Sequence, residues 1–277
     1  MNDSDSAVTP LVPREGWHVM HLFYHVDHAQ WAMLDDEDRR QAKTRLTELV
    51  QEIRSTDDTH LLVFSIATPK ADLGFMLLTP DLQVANAFEK RLTLSLGPDI
   101  LTPAYSYLSQ TESSEYTTTS AQYSEETLIG EKGLDPESPE YAAAMKEFEE
   151  RMAHYLKHRL YPVLPDWPAI CFYPMSKRRS GADNWYSLPF EERKELMGGH
   201  ARTGRAYSGR ILQLITGSTG LDEHEWGVTL LAKDTIDIKS IVYEMRFDEV
   251  SARYGEFGDF YIGMQLPLSE LFRRLCL

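Results

Sequence analysis

The chain has 277 residues, and 28 Lys and Arg against 43 Asp and Glu leave a net charge of −15. That balance argues against partners held by phosphate neutralisation and against docking on an anionic membrane, since both need clustered cations. A hydrophobic share of 42% is that of a globular protein with a large core.

Residues 1–15 read as a flexible tail, polar and acidic, without the basic and apolar regions of a signal peptide. No apolar run approaches the ~20 residues of a membrane helix. The only cysteines are Cys171 and Cys276, so one disulfide is possible, but such sparse usage suits a reducing compartment and excludes a thiolate zinc site. The expectation is a soluble cytoplasmic protein.

From Trp17 the run WHVMHLFYHV reads as a strand, and a helix follows from Gln30 to Ser55. His60–Ala67 and Leu73–Thr79 read as strands. The Thr79-Pro80-Asp81 signal opens a helix that ends before Gly97-Pro98, and Pro103–Gln110 closes the set as a strand. Residues 111–140 are polar and read as a long connection, of a length often tied to function. A helix runs from Pro139 to His158. The pattern then returns: strand Ala169–Arg179, helix Pro189–Tyr207, strands Ile211–Gly217 and Glu225–Lys233, helix Thr235–Ala252, strand Phe257–Leu266.

Residues repeat as well as elements. Trp31-x-x-Leu34-x-x-Glu37-Asp38-Arg39 matches Trp185-x-x-Leu188-x-x-Glu191-Glu192-Arg193 at an offset of 154. Gly74-x-x-Leu77-Leu78 matches Gly227-x-x-Leu230-Leu231 at 153, and Phe88-Glu89-x-Arg91-Leu92 matches Tyr243-Glu244-x-Arg246-Phe247 at 155. The fold class is therefore α+β: two ferredoxin-like repeats (β-α-β-β-α-β twice), packed sheet face to sheet face as a dimeric α+β barrel within one chain. The domains read as an N-terminal repeat over 16–120, a linker with its helix over 121–160, and a C-terminal repeat over 161–277. A feature present in only one copy is the better candidate for chemistry.

By that criterion the second copy stands out. In CFYPMSKRR (171–179), strand alternation puts Tyr173, Met175 and Lys177 on one face. They suit a flat anionic ligand, or equally an edge strand with a snorkelling lysine. His200 lies on the inward stripe of its helix, beside Gly198 and Gly199. Glycine there costs helix stability by roughly 1 kcal/mol each, which favours close approach of something flat. A haem iron ligand fits, and so does an ordinary core histidine. Gln213 points inward among isoleucines, as a donor over a ligand or a structural amide. Arg159 sits at a helix C-terminus, where the dipole alone favours a cation, or where it can fork onto a carboxylate. Arg246 is weaker because Arg91 occupies its place in the first copy, and Ser251 has no reading by itself. His18, His21, His25 and His28 split between two strand faces and make a poor metal cluster. No phosphate loop, GxSxG or HExxH occurs.

Together, Tyr173-Pro174-Met175-Ser176-Lys177-x-Arg179, Met197-x-x-His200, Gln213 in ILQLITGSTG and the run from Trp226 to Gly263 resemble the haem-dependent peroxidase family that includes chlorite dismutases and coproheme decarboxylases. The resemblance is closest to coproheme decarboxylases of Firmicutes type and rests on about residues 159–265. It departs from the family at Ala201, where glycine is expected after the histidine. The resemblance implies coproheme III as substrate and redox cofactor, haem b as product and hydrogen peroxide as co-substrate. It implies Tyr173 as the radical-forming residue, with Lys177 beside it. His200 becomes the axial iron ligand, and Arg159, Tyr173, Met175, Lys177, Gln213, Arg246 and Ser251 contact the porphyrin. Chlorite dismutases carry a distal arginine where Gln213 stands, which favours decarboxylation. The resemblance further implies a homopentamer and transient contact with the iron-inserting ferrochelatase. The alternatives are a chlorite dismutase or general haem peroxidase of the same fold, a non-catalytic haem-binding or haem-transfer protein, and a ferredoxin-like interaction protein.

Overall fold

The structure, a computed structural model, describes residues 9–277. Two compact units emerge. One joins the chain up to Thr111 with Leu164–Leu277, and the other is Glu112–Val163.

The larger unit contains both copies of the β-α-β-β-α-β motif. The first runs β1 (His18–Val26), α1 (His28–Met33), α2 (Asp36–Ser55), β2 (His60–Ile66), β3 (Leu73–Thr79), α3 (Leu82–Thr93) and β4 (Leu101–Thr111). In the smaller unit, α4 (Ser120–Gln122) leads into wide π-helical turns over Tyr123–Glu131, and α5 (Pro139–Leu160) follows. The second copy runs β5 (Ala169–Lys177), α6 (Phe190–Arg205), β6 (Ile211–Gly217), β7 (Trp226–Ala232), α7 (Thr235–Met245), β8 (Gly255–Phe257) and β9 (Tyr261–Gln265), with a closing α8 (Leu268–Arg274).

All strand pairs are antiparallel. The first copy is ordered β4-β1-β3-β2 and the second β6-β7-β5-β9, with β8 prolonging the pairing of β5. The copies join edge to edge, β4 on β6 and β2 on β9, so eight strands close into a ring. Closure leaves no long open edge. The halves therefore meet both at their edges and across a shared interior. That interior holds Val19, Phe23, Phe64, Met76, Tyr107, Phe172, Leu214 and Tyr261. Outside it, α1–α3 and α8 cover the first half of the sheet, and a smaller apolar layer containing Ile238 and Ile241 of α7 lies against the second half.

The repeated residues hold repeated positions. Trp31 and Trp185 are both buried, and each accepts through its carbonyl from the leucine three residues on, Leu34 or Leu188. Asp81 and Asp234 cap α3 and α7 through the same side-chain bond to the second following amide. Gly74 and Gly227 face the crowded interior. A Cβ on Gly74 would stand 2.1 Å from the Phe64 ring, and one on Gly227 2.8 Å from Tyr107.

Several boundaries differ from the sequence reading. The Gln30–Ser55 helix is two helices, broken at Leu34 because Asp27 and Asp35 each cap a separate start. The Thr235–Ala252 helix stops at Met245 and resumes as a single π-turn over Val250–Tyr254. Of the tail, residues 1–8 lie outside the described residues. Leu11 is held by two bonds: its amide donates to Asp81 Oδ1 (2.9 Å) and its carbonyl accepts from Leu82 (3.0 Å). Among the described residues no helix is long and apolar enough to cross a membrane.

Candidate active site

β5 does the positioning. Its alternation sends Phe172 into the ring interior and Tyr173 to the apolar layer that it shares with Tyr207 and α7. Candidate chemistry thus lies on the outer face of the second half, not within the ring, whose interior is filled with aromatic side chains.

Tyr173 is 5% exposed. Its ring stacks on Phe260 at 4.3 Å and meets Phe257 at 5.9 Å. Burial, reinforced by the nearby Cys171 thiol, pushes the phenol well above its ordinary pKa, and Arg246 acts against that shift. Arg246 itself lies over the Phe257 ring at 4.1 Å. Its counterpart Arg91 instead forks onto Glu52 between α2 and α3. The two arginines share a sequence position and not a role, so Arg91 gives no reason to discount Arg246.

Lys177 is 6% exposed, with Nζ 4.8 Å above the Trp185 ring. Burial lowers its ammonium from 10.5 to about 8, while Asp248 and Glu225 pull in the other direction. Glu225, itself buried, accepts the Lys177 backbone N–H at 2.7 Å through Oε2. Met175 precedes this pair on the same face, half-buried and in register with Trp226 and Phe257.

His200 on α6 faces inward, and its Nδ1 lies 2.8 Å from Asp248 Oδ2. A carboxylate only accepts, so Nδ1 carries a proton and Nε2 is the ring nitrogen that can serve as a lone-pair ligand. Asp248 also accepts from the Ser251 amide at 2.9 Å and its hydroxyl at 3.4 Å. Burial opposes ionisation of Asp248. The His200 bond, the Ser251 amide and the positive charges of Lys177 and of His200 when protonated outweigh it, and the carboxyl stays below its ordinary pKa. Asp248 thus gathers three residues singled out from sequence: His200, Ser251 and Lys177.

Gln213 follows the structural reading in this conformation. Its Nε2 donates to the Gly204 carbonyl at 3.1 Å. Gly204 is the glycine of α6 that permits a close approach, since a Cβ there would stand 3.1 Å from Gln213 Nε2, whereas one on Gly198 meets nothing within 4 Å. Arg159 belongs to the smaller unit. At the end of α5 its Nε donates to the Glu112 carbonyl at 2.7 Å, which ties the two ends of that unit.

Sequence reasoning missed Asp248 and Glu225. The Asp-x-x-Ser spacing of 248–251, a turn signal, was visible, but its link to His200 spans 48 residues. The histidines of the first strand disperse: His18 bonds Pro80 and Gln110, His21 bonds Thr229 inside the ring, and His25 pairs with Asp72. Both cysteines are free. A surface groove between α2 and α3 carries the Arg91–Glu52 pair and lies in the other half.

The comparisons with known proteins agree with this architecture. A coproheme decarboxylase from Staphylococcus carnosus (strain TM300) is 42% identical over 261 residues, covering 93% of this chain and 94% of the relative. A solved structure described as a novel heme-binding protein from Thermus thermophilus superposes with a TM-score of 0.78 at 40% identity, covering 98% of this chain and 99% of that one. A chlorite dismutase variant from Candidatus Nitrospira defluvii shares the fold, with a TM-score of 0.70 at 18% identity over 96% of this chain and 97% of that one. The chlorite dismutase family profile matches residues 25–266, and this chain belongs to that family.

Proposed function

We propose that this chain is a coproheme decarboxylase: it converts two propionates of coproheme III to vinyl groups with hydrogen peroxide, giving haem b. The observation that carries this reading is the cluster confined to the second copy. A buried, protonated Tyr173 and a buried Lys177 share one strand face, and His200 is oriented by Asp248. The 42% identity to a curated enzyme of that name supports it.

The residues fit an iron porphyrin. His200 has one ring nitrogen fixed by a carboxylate and the other available as a lone pair, the arrangement that metal-ligating histidines use. Bound iron porphyrin supplies the oxidising equivalents drawn from peroxide, and it is also the substrate. The chain supplies orientation and proton control. Burial keeps the Tyr173 phenol protonated, so it gives up a proton and an electron together and becomes a phenoxyl radical. That radical removes one hydrogen atom from a propionate methylene and returns to the phenol. Loss of carbon dioxide and of one further electron, taken up by the second oxidising equivalent of the same peroxide, leaves the vinyl group. The net change is two electrons per propionate, one peroxide each. Lys177, poised near pH 8, holds the carboxylate or moves a proton. Arg246 and Ser251 hold unreacted propionates, Met175 packs on the ring edge, and Gln213 leaves the Gly204 carbonyl to position peroxide. The substrate turns between the two decarboxylations.

The same reading takes the protein as a cytoplasmic homopentamer that receives coproheme from the iron-inserting ferrochelatase. A chlorite dismutase activity is disfavoured by the neutral Gln213 amide where those enzymes carry an arginine. The test is to titrate the chain with coproheme, add peroxide and follow the porphyrin by mass spectrometry. Two successive losses of a carboxyl group are expected. A Soret band with no mass change supports a haem-transfer protein instead, and absence of any band supports an interaction protein.

A further inference from the structure

On α5, outside the cluster around Tyr173, His154 and His158 stand one helical turn apart with Nε2 3.1 Å from Nε2. Their rings are tilted by 58° with centroids 4.3 Å apart, and both residues are exposed. We propose that this pair is a surface site for a divalent transition-metal ion of the copper, nickel or zinc class.

The geometry carries the proposal. At this distance one ring nitrogen donates to the other, and the tautomer decides which. An ion that binds imidazole takes its place between them once the donating ring carries its proton on Nδ1, which leaves both Nε2 atoms as lone-pair donors. With metal–nitrogen bonds of about 2.0–2.1 Å, a 3.1 Å separation corresponds to an angle of about 100° at the metal, between tetrahedral and square-planar values. The rings therefore need little movement, since the two Nε2 atoms already converge. Exposure leaves the remaining coordination positions to water. Glu150 lies on the same stripe, one turn before His154. Its carboxylate faces Lys146 at 3.9 Å, and among the described residues no third His, Cys, Asp or Glu is grouped with the pair, so the two imidazoles carry the site. Nitrogen ligands select copper most strongly and give magnesium and calcium no purchase.

An ion at this position clamps residues 154–158, the turn that also carries the contact between Arg159 and Tyr155 at 3.4 Å. Opening of the last turn of α5 then requires loss of the ion. At a free-metal level 100 times the dissociation constant, amide exchange there slows by about 100-fold.

The test uses the full chain without porphyrin. Zinc and copper are each titrated in competition with a chelator, in the unaltered chain and in His154→Ala, His158→Ala and His28→Ala variants. His28 is an exposed histidine on α1 and serves as the control. The expected result is one tight equivalent, weakened at least ~10-fold in both α5 variants and unchanged in the control. Two-nitrogen coupling in the copper spin-resonance spectrum and exchange protection confined to residues 150–160 should accompany it. Equal affinity in all four proteins overturns the proposal, as does equal competition by magnesium. Circular dichroism of the variants separates loss of ligand from loss of helix.

Discussion

Burying Lys177 beneath Trp185 makes the stability of the protein depend on pH in a way that one substitution isolates. The ammonium falls from 10.5 to about 8 because burial outweighs the attraction of Asp248 and Glu225. The unfolded chain therefore binds the proton more tightly, and stability rises with pH wherever the unfolded state still holds a proton that the folded state has released. The shift amounts to about 3 kcal/mol in full, lost below pH ~8 and recovered as pH climbs toward the unfolded value. Between pH 7 and 9.5 the recovered part is about 2 kcal/mol. The buried tyrosines Tyr105, Tyr107 and Tyr173, whose pKa values are raised, act oppositely at higher pH, which sets the upper end of the window. Lys177→Met keeps the apolar stem and removes only the titration. Urea unfolding of the ligand-free chain and of the variant, at half-unit steps across this window, gives the difference directly. It should move in favour of the unaltered chain by about 2 kcal/mol as pH rises. A difference that stays flat means that Lys177 is solvated, and the proton role assigned to it fails.

Other consequences follow from the same contacts. Glu225→Gln removes a charge that raises the Lys177 pKa, so the ammonium should titrate below about 8, as read by side-chain NMR of a labelled lysine; an unchanged or higher value contradicts the placement. Asp248→Asn takes the charged acceptor from His200 and should weaken coproheme binding by at least ~10-fold in a Soret titration. Gly204→Ala puts a Cβ 3.1 Å from Gln213 Nε2 and should cost about 1–2 kcal/mol in thermal unfolding, with the loss relieved by Gln213→Ala. Gly74→Ala drives a Cβ into Phe64 inside the ring and should cost more, ~2–3 kcal/mol, without altering the cluster around Tyr173.

The doubled β-α-β-β-α-β order was legible because each copy carries the same local signals: a buried tryptophan, an aspartate cap, a glycine facing a crowded interior. Such signals act over a few residues and survive in sequence. A barrel was expected from the duplication, but the edges that close it were not legible in the same way. Closure depends on only short edge pairings, β4 on β6 through Gln110 and Thr111 and β2 on β9 through Phe64–Ile66, which no local pattern announces. The break at Leu34 was hidden because the apolar spacing continues across it. At the site, strand alternation placed Tyr173, Met175 and Lys177 on one face from sequence alone. The carboxylates that act on Lys177 come from β7's leading edge and the turn after α7, so Glu225 and Asp248 had no visible link to it. Arg246 shows how far a sequence repeat can be carried. Both arginines lie over an aromatic ring, Phe88 or Phe257, but Arg91 also forks onto Glu52, because their surroundings diverged.

The net charge of −15 describes the exterior of the molecule. The residues proposed for a tetracarboxylate ligand are the local exceptions, Lys177 and Arg246 among them. The most direct test of the account is a single-turnover reaction of coproheme with peroxide on Tyr173→Phe, followed by mass spectrometry of the porphyrin. The account predicts unaltered coproheme binding with no loss of a carboxyl group. Full conversion to haem b by this variant would contradict it.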